Sequence, residues 1–456
     1  MRRGLALTAA AVLACLLVAG CGGKKAEKTP RGQVRIDVWH PWGGTQAEAF
    51  QKIADEFNRT HPSIRVRLLY TPNDLASNQK FFTAVAAKLP PDVIMLDCPQ
   101  VAQCAEQGAL EPLTGRLAAA GIREADFYTP CWKQNFYEGD VWAMTYCADP
   151  NFAFGWNKQD FRDAGLDPER PPATLEEMDR YARALTKSQN GKMRRIGVIP
   201  WNQFGYENSL FTWGWAFGGS FYDEKTRTVT ADHPRIVQAL EWMCEYTKKY
   251  DVNRINSLQA GFGTQEQNPF YVGKLAMQCL HISSLKDIEM YAPRKFDYGV
   301  GFLPAPAFGE QHSSWIGGWC MAIPSGAKQP EAAWEYIRWM TSDPDGTCTV
   351  AREAGLLPGY RKSRYFDPSV RKPPHYDAFL QILEETRHQR PVMPAQAFYM
   401  SALKRAVDLA IHGDMTPREA LREAREDTQK ELDRLLAGNR LLAGNRLLAG
   451  NRLLAG

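Results

Sequence analysis

Trp201-Asn202-Gln203-Phe204-Gly205-Tyr206-Glu207-Asn208 sets aromatic rings beside amides and a carboxylate around one glycine, and the chain then runs into Trp213 and Trp215. Flat rings stack on apolar C–H faces, while planar amides and carboxylates accept and donate in fixed directions. The mixture suits a ligand with apolar faces and a belt of hydrogen-bonding groups. Two further stretches carry the same mixture. His40-Pro41-Trp42-Gly43-Gly44 falls where a strand turns into a helix, so backbone N–H groups are free and glycines allow close approach. Trp315-Ile316-Gly317-Gly318-Trp319 flanks a double glycine with two rings. Each has a packing alternative: Trp42 turned inward at a helix entry, an inter-helix loop around Trp201, one of Trp315 and Trp319 in a core.

Catalytic chemistry finds less support. The chain has no G-x-S-x-G, H-E-x-x-H, G-x-x-x-x-G-K-[ST], or G-x-G-x-x-G after a strand. Carboxylates are numerous, but nothing ties two of them to one site as glycoside hydrolysis would need. No cofactor is implied. The cysteines form no C-x-x-C and no His pair accompanies them, so no metal site is expected. Cys98 with Cys104 and Cys131 with Cys147 would close the shortest disulfide loops, and buried free thiols serve equally well.

The elements that must position these residues follow from periodicity. Val34–Trp39 and Ile64–Tyr70 are β-rich, and Asp92–Asp97 makes a third strand. Between them, Phe50, Ile53, Ala54 and Phe57 share one helix face, and Phe82, Val85, Ala86 and Leu89 another. Strand–helix–strand–helix–strand at this spacing predicts an α/β sheet with parallel crossovers, with ligands beyond the carboxyl ends of its strands. His40–Gly44 and Asp97 lie there. A carboxylate ending the central strand can take two hydroxyls at once; the alternative for Asp97 is a helix N-cap. Ile196–Ile199 reads as a short strand. Thr174 with Glu177 and Thr416 with Glu419 read as capping boxes, Pro330 as a helix start, and Gly413 as a helix stop.

In 456 residues, 44% apolar and 23% charged, a large core is available, and disorder, collagen and multi-pass membrane architecture are excluded. The net charge of +4 comes from the ends. Without Arg2, Arg3, Arg440, Arg446 and Arg452 the body holds 50 basic against 51 acidic side chains, no basis for nucleic-acid binding. The chain opens with a basic start and the apolar run Leu5–Val18, too short for a stable span, and closes that run with Leu17-Val18-Ala19-Gly20-Cys21, which resembles a bacterial lipobox. Residues 1–20 are thus expected to be removed, Cys21 to be lipidated, and 21–33 to act as a tether outside the cytoplasm. The alternative is an ordinary secretory leader. At the other end Leu-Leu-Ala-Gly-Asn-Arg repeats from Leu435 to Gly456; a period of six and a Gly in each copy predict a frayed appendage.

In order along the chain, several short pieces together resemble one family. They are Trp39-His40 with Gly43-Gly44, Phe57-Asn58, His61-Pro62, Pro91-Asp92-Val93, Gly108-Ala109-Leu110 and Trp156-Asn157-Lys158. Ala164-Gly165-Leu166, Phe217-Gly218-Gly219, Gly273-Lys274-Leu275-Ala276-Met277, Gly317-Gly318-Trp319 and Gly355-Leu356-Leu357-Pro358 complete the series. Over nearly all of Val34–Leu435 the chain is similar to the carbohydrate-type solute-binding proteins of bacterial ABC importers. The resemblance implies an α/β fold of two periplasmic-binding-protein lobes, maltose-binding-like, with the ligand cleft between them. Residues 34–147 and 313–354 would form the first lobe, and 148–312 with 355–434 the second. It also implies ligand roles for Gly317 and Gly318, and for Asp97, Tyr146, His281 and Tyr360 at strand ends and crossover turns. Those join His40, Trp42, Gly43, Gly44, Trp201, Glu207, Trp213, Trp315 and Trp319 as candidates. The expected function is capture of a sugar by lobe closure and delivery to the membrane permease subunits, by a monomer held at the membrane through its lipid. Alternatives are a glycerol phosphate or related ester, a glycan-active enzyme, or an adhesin. The stretch Pro391–Phe398, where phosphate-binding relatives place arginine, has none in its second half; Arg390 is near but offset.

Overall fold

Val34–His40 forms a strand that buries Ile36, Val38 and His40 on one side. It pairs in parallel with Ile64–Tyr70 from Val34↔Ile64 to His40↔Tyr70, and with Val93–Asp97 through Val38↔Val93. Trp319–Ala322 returns antiparallel to Val93–Asp97, setting Trp319 opposite Asp97, and Met144–Thr145 closes the five-stranded sheet. This computed structural model describes residues 32–453 except 73–74, 152, 203–204 and 263–266. Cys21, the leader and most of the tether therefore lie outside the described residues.

Helix Gly44–Thr60 covers the sheet with Ala49, Phe50, Ile53, Ala54 and Phe57, the face its spacing predicts. The next helix, Leu75–Ala86, departs from expectation. Phe81 is its buried residue, Phe82 and Val85 are partly buried, and Ala86 and Leu89 face solvent, because the helix ends before a fourth apolar position can turn inward. Phe50, Phe57, Met95, Tyr336 and Ile337 belong to the core beneath this sheet.

A second sheet is antiparallel, with Ala153–Asn157, buried throughout, between Met277–Leu280 and Tyr298–Gly301; Ala153, Leu280 and Tyr298 continue the first core, and Phe154, Trp156 and Met277 join a second. Helices Leu175–Leu185, Tyr206–Ala216, Pro234–Tyr250 and Gln396–His412 contribute Met178, Phe211, Met243 and Leu403 to it. Each sheet with the helices packed on it makes one α/β lobe. The capping signals hold locally: the N–H of Glu177 donates to Thr174 Oγ1 at 3.2 Å, and Thr416 and Glu419 exchange both capping bonds. Gly413, at φ 82°, stops its helix. Ile196–Ile199 is not a strand; only Ile196 bridges to Leu275.

In the C-terminal quarter, helix Tyr376–Glu385 lies against Ala153–Asn157 and Tyr298–Gly301 of the antiparallel sheet, and Gln396–His412 packs on Tyr206–Ala216 and Pro234–Tyr250. The tail is no frayed appendage: one helix runs from Pro417 to Leu453. Leu421, Ala424, Leu432, Leu435 and Leu436 anchor it to the second core. A helix already nucleated by packing propagates through glycine at about 1 kcal/mol each.

Candidate functional site

Between the cores, the strand Trp315–Gly317 runs antiparallel to Asp149–Asn151 and parallel to His388–Gln389. These are the segments that cross from one lobe to the other. At their ends lies a cavity of about 280 Å³ lined by Trp42, Asp97, Asp149, Trp315, Trp319 and Arg390, among others. A larger cavity of about 390 Å³ occupies another part of the lobe seam, between Trp132, Phe136, Val392 and Leu432. The Arg227–Glu138 ion pair at its edge, 2.7 Å long, is solvent-exposed, so the crossing-strand cavity is the better candidate for ligand chemistry.

The aromatic walls are built from turns and strand ends. Trp42 leaves the first strand, lies parallel to Phe50 at 5.6 Å between ring centres, and meets Trp319 at 4.7 Å. Its indole N–H donates to Tyr146 Oη at 3.0 Å, so the buried Tyr146 holds the platform from behind. Gly318 adopts φ 132°, and a Cβ there would stand 2.8 Å from the carbonyl oxygen of Cys147. Only glycine lets the crossover pass so close and present Trp319 to the cavity. On the other wall the Trp315 indole N–H donates to Thr212 Oγ1 at 3.0 Å.

The polar groups converge on one cation. Arg390 is 7% exposed, donates through Nη2 to Asp97 Oδ1 at 2.5 Å, and sets its guanidinium 5.5 Å from the centre of the Trp315 ring. Asp149 also feels Arg390, yet burial outweighs that attraction and pushes its carboxyl up to about 7. Its Oδ1 is buried without a hydrogen-bond partner. Burial likewise raises Glu207, whose charge is within reach of Arg390 and Asp97. The Glu207 carboxylate curls over Gly205, where a Cβ would come within 2.5 Å of it. His281, hydrogen-bonded to Ser283, is pushed down to about 4 by burial and stays neutral at physiological pH.

Of the residues singled out from sequence, Trp42, Asp97, His281, Trp315, Gly318 and Trp319 line the cavity. Tyr146 supports it from behind, Glu207 precedes the lining residue Asn208, and Gly317 ends the crossing strand. The rest lie elsewhere. His40 is buried and accepts the backbone N–H of Trp42 through Nδ1, and Gly43 and Gly44 shape the helix entry without lining the cavity. Trp201 and Trp213 are 1% exposed in the second core, Trp213 donating to the carbonyl of Pro200. Tyr360 meets Phe127 at a tilt of 52° in the first core. Gln46, Asp149, Asn208, Ser283 and Leu356 line the cavity without having been singled out. The helix-entry glycines hinted at Gln46; Asp149 and Leu356 gave no local signal.

Two lobes, crossing strands and a cleft lined from both sides define a solute-binding protein. Residues 43–347 match the family of bacterial extracellular solute-binding proteins, and the chain belongs to it. It is similar to the maltotriose-binding protein of Pyrococcus abyssi, 23% identical over 385 residues, 83% of this chain and 77% of that protein. It is also similar to the sn-glycerol-3-phosphate-binding periplasmic protein UgpB of Pectobacterium atrosepticum, 24% identical over 372 residues, 78% of this chain and 79% of that one. The solved structure of CpMnBP1 with mannotriose bound superposes with a TM-score of 0.77 at 26% identity, covering 87% of this chain and 100% of that one.

Proposed function

We propose that this protein captures a neutral saccharide in the crossing-strand cavity and delivers it to the membrane permease of an ABC importer. The observation that carries the reading is three tryptophans, Trp42, Trp315 and Trp319, lining one cavity with the Asp97–Arg390 pair. Rings stack on sugar C–H faces, while Asp97 Oδ2, Asp149 and Gln46 offer hydrogen bonds to hydroxyls. Relatives that bind maltotriose and mannotriose support the same class. The glycerol-phosphate reading is weaker, because Arg390, the one cation among the lining residues, is already bonded to Asp97 with Asp149 close by. A phosphate would have to compete with Asp97 for that guanidinium.

Trp42, Asp97 and Trp319 come from the first lobe's sheet and its turn, while Asn208, Trp315 and Arg390 stand against the second core. A ligand that touches both sets favours the closed lobes by what it gains from each. We further propose that the chain acts as a monomeric binding protein without catalysis, and that acylated Cys21 holds it outside the cytoplasm. A thermal-shift screen tests the ligand class: a ligand at 100 times its Kd adds about 2.7 kcal/mol. The expected hit is an uncharged mono- or oligosaccharide; a hit only among phosphate esters overturns the reading. Cys21→Ser should release the protein from membranes with its fold intact, and an unmodified mature N-terminus elsewhere in the native protein would remove the anchor.

A further inference from the structure

A second cavity, about 300 Å³, lies beside the first: its lining residues Ile282 and Gly355 are chain neighbours of His281, Ser283 and Leu356, which line the saccharide cavity. The two cavities carry opposite charge. Lys286, Arg352, Arg371 and Lys372 face the second, with Glu289 the one carboxylate among its lining residues.

Among the described residues, Arg371 is the one of these cations that pairs with an acid. Arg371 reaches Glu289 at 3.4 Å from an exposed side chain. Lys286 donates to the backbone carbonyl of Glu353, and Lys372 to those of Asp367 and Val370, at 2.8 and 2.6 Å. Arg352 makes no ion pair among the described residues, although it sits in the last turn of helix Pro344–Ala354, where the dipole favours a cation. Gly355, at φ 70°, leaves room for the Lys286 stem: a Cβ there would come within 2.9 Å of Lys286 Cδ. Lys372 lies 5.3 Å from the ring centre of Tyr365 and 5.5 Å from that of Tyr376. Burial lowers both lysines from the usual ammonium range, outweighing the attraction of Glu353, Asp287 and Glu289 on Lys286 and of Asp367 and Asp377 on Lys372; Lys52 lowers Lys286 further. Partly desolvated ammonium groups held by carbonyls and rings stand beside the exposed Arg352 guanidinium, so positive charge outnumbers negative along this lining.

We propose that this second cavity is an anion site that takes a phosphoryl group. A singly charged carboxylate would leave most of the positive surplus uncompensated, whereas a phosphoryl dianion offers three acceptor oxygens to the Arg352 fork and the two ammonium groups. The group could arrive on a soluble ester or on an anionic lipid headgroup. The assignment stands independently of what the first cavity binds.

Calorimetric titration of the full chain with inorganic phosphate, at ionic strength fixed with sodium chloride, should show saturable binding at one site. R352A/K372A should weaken it at least tenfold, while Trp319→Ala in the saccharide cavity should leave it unchanged. Phosphate should also shield Lys286 and Lys372 from acetylation in the wild-type chain, a readout that needs no variant to fold. Glycerol phosphate competing with inorganic phosphate would identify a soluble ester as the source. Sedimentation with phosphatidylglycerol vesicles but not phosphatidylcholine vesicles, lost in R352A/K372A, would identify a lipid. No saturable phosphate binding and no lysine protection would overturn the proposal, as would binding that survives R352A/K372A or fails in Trp319→Ala.

Discussion

Two regions of this molecule are rich in tryptophan, and they use it differently. Trp201, Trp213 and Trp215 are at most 5% exposed among the helices of the second core, where Trp213 meets Trp242 and Trp215 stacks on His388. Trp42 stands at a strand-to-helix turn, Trp315 on a crossing strand and Trp319 at the start of a strand of the first sheet, and all three face a cavity. Trp315 is as buried as many core residues, at 2%. Burial therefore does not separate platform from core. What separates them is the backbone beside the ring: a strand end or a Gly318 turn leaves one face open, whereas a helix such as Tyr206–Ala216 turns the ring into its neighbours.

Trp213→Ala should expose that difference most strongly. It leaves a large cavity and an unpaired Pro200 carbonyl in the second core, and should destabilise the fold by about 3–5 kcal/mol in denaturant titration. Arg390→Met comes next. It strands the Asp97 carboxylate beside Asp149 in the cavity wall, and breaking such a buried pair costs about 3 kcal/mol. Its melting temperature should fall at pH 7.

Trp319→Ala should do the converse of Trp213→Ala. The ring is only partly buried, so stability should change little, while saccharide affinity falls by about 2–4 kcal/mol in calorimetry. Comparable destabilisation by Trp319→Ala and Trp213→Ala would erase the distinction between the two regions.

The comparison also explains what the sequence disclosed. Periodicity located the first sheet and its first helix, because alternation in Val34–Trp39 and the Phe50–Phe57 spacing are local properties. Capping boxes and Gly413 marked helix ends for the same reason. Trp201 next to amides has the composition of a ligand wall, but composition carries no direction, and the ring points into a core. Arg390 reads as offset from the stretch where phosphate-binding relatives place arginine, and its partner Asp97, 293 residues away in the chain, leaves no local signal of their pairing. The tail's Gly in every copy argued locally against a helix that tertiary anchoring by Leu432, Leu435 and Leu436 sustains.

Smaller effects sharpen the account. The Asp149 carboxyl binds its proton more tightly in the folded chain, so its contribution to stability is present in acid and lost as pH rises towards about 7. Neutral His281, pushed down to about 4, contributes with the opposite slope between about 4 and the ordinary histidine range, so the wild type hides part of the trend. Asp149→Asn should therefore gain stability relative to wild type as pH rises from 4 to 7, with no further change above; a flat difference would place Asp149 in water. Deleting residues 441–456 should move the melting temperature by no more than about 1–2 °C, since the anchoring leucines remain.

The central claim is that saccharide binding resides in the tryptophans of the crossing-strand cavity and not in those of the second core. Calorimetric titration with the best neutral saccharide from the thermal screen, run in parallel on wild type, Trp319→Ala and Trp201→Phe, measures it directly. Trp319→Ala should lose at least thirtyfold in affinity, the lower end of about 2–4 kcal/mol, while Trp201→Phe binds as the wild type does. Equal affinity in wild type and Trp319→Ala, or a loss confined to Trp201→Phe, would contradict it.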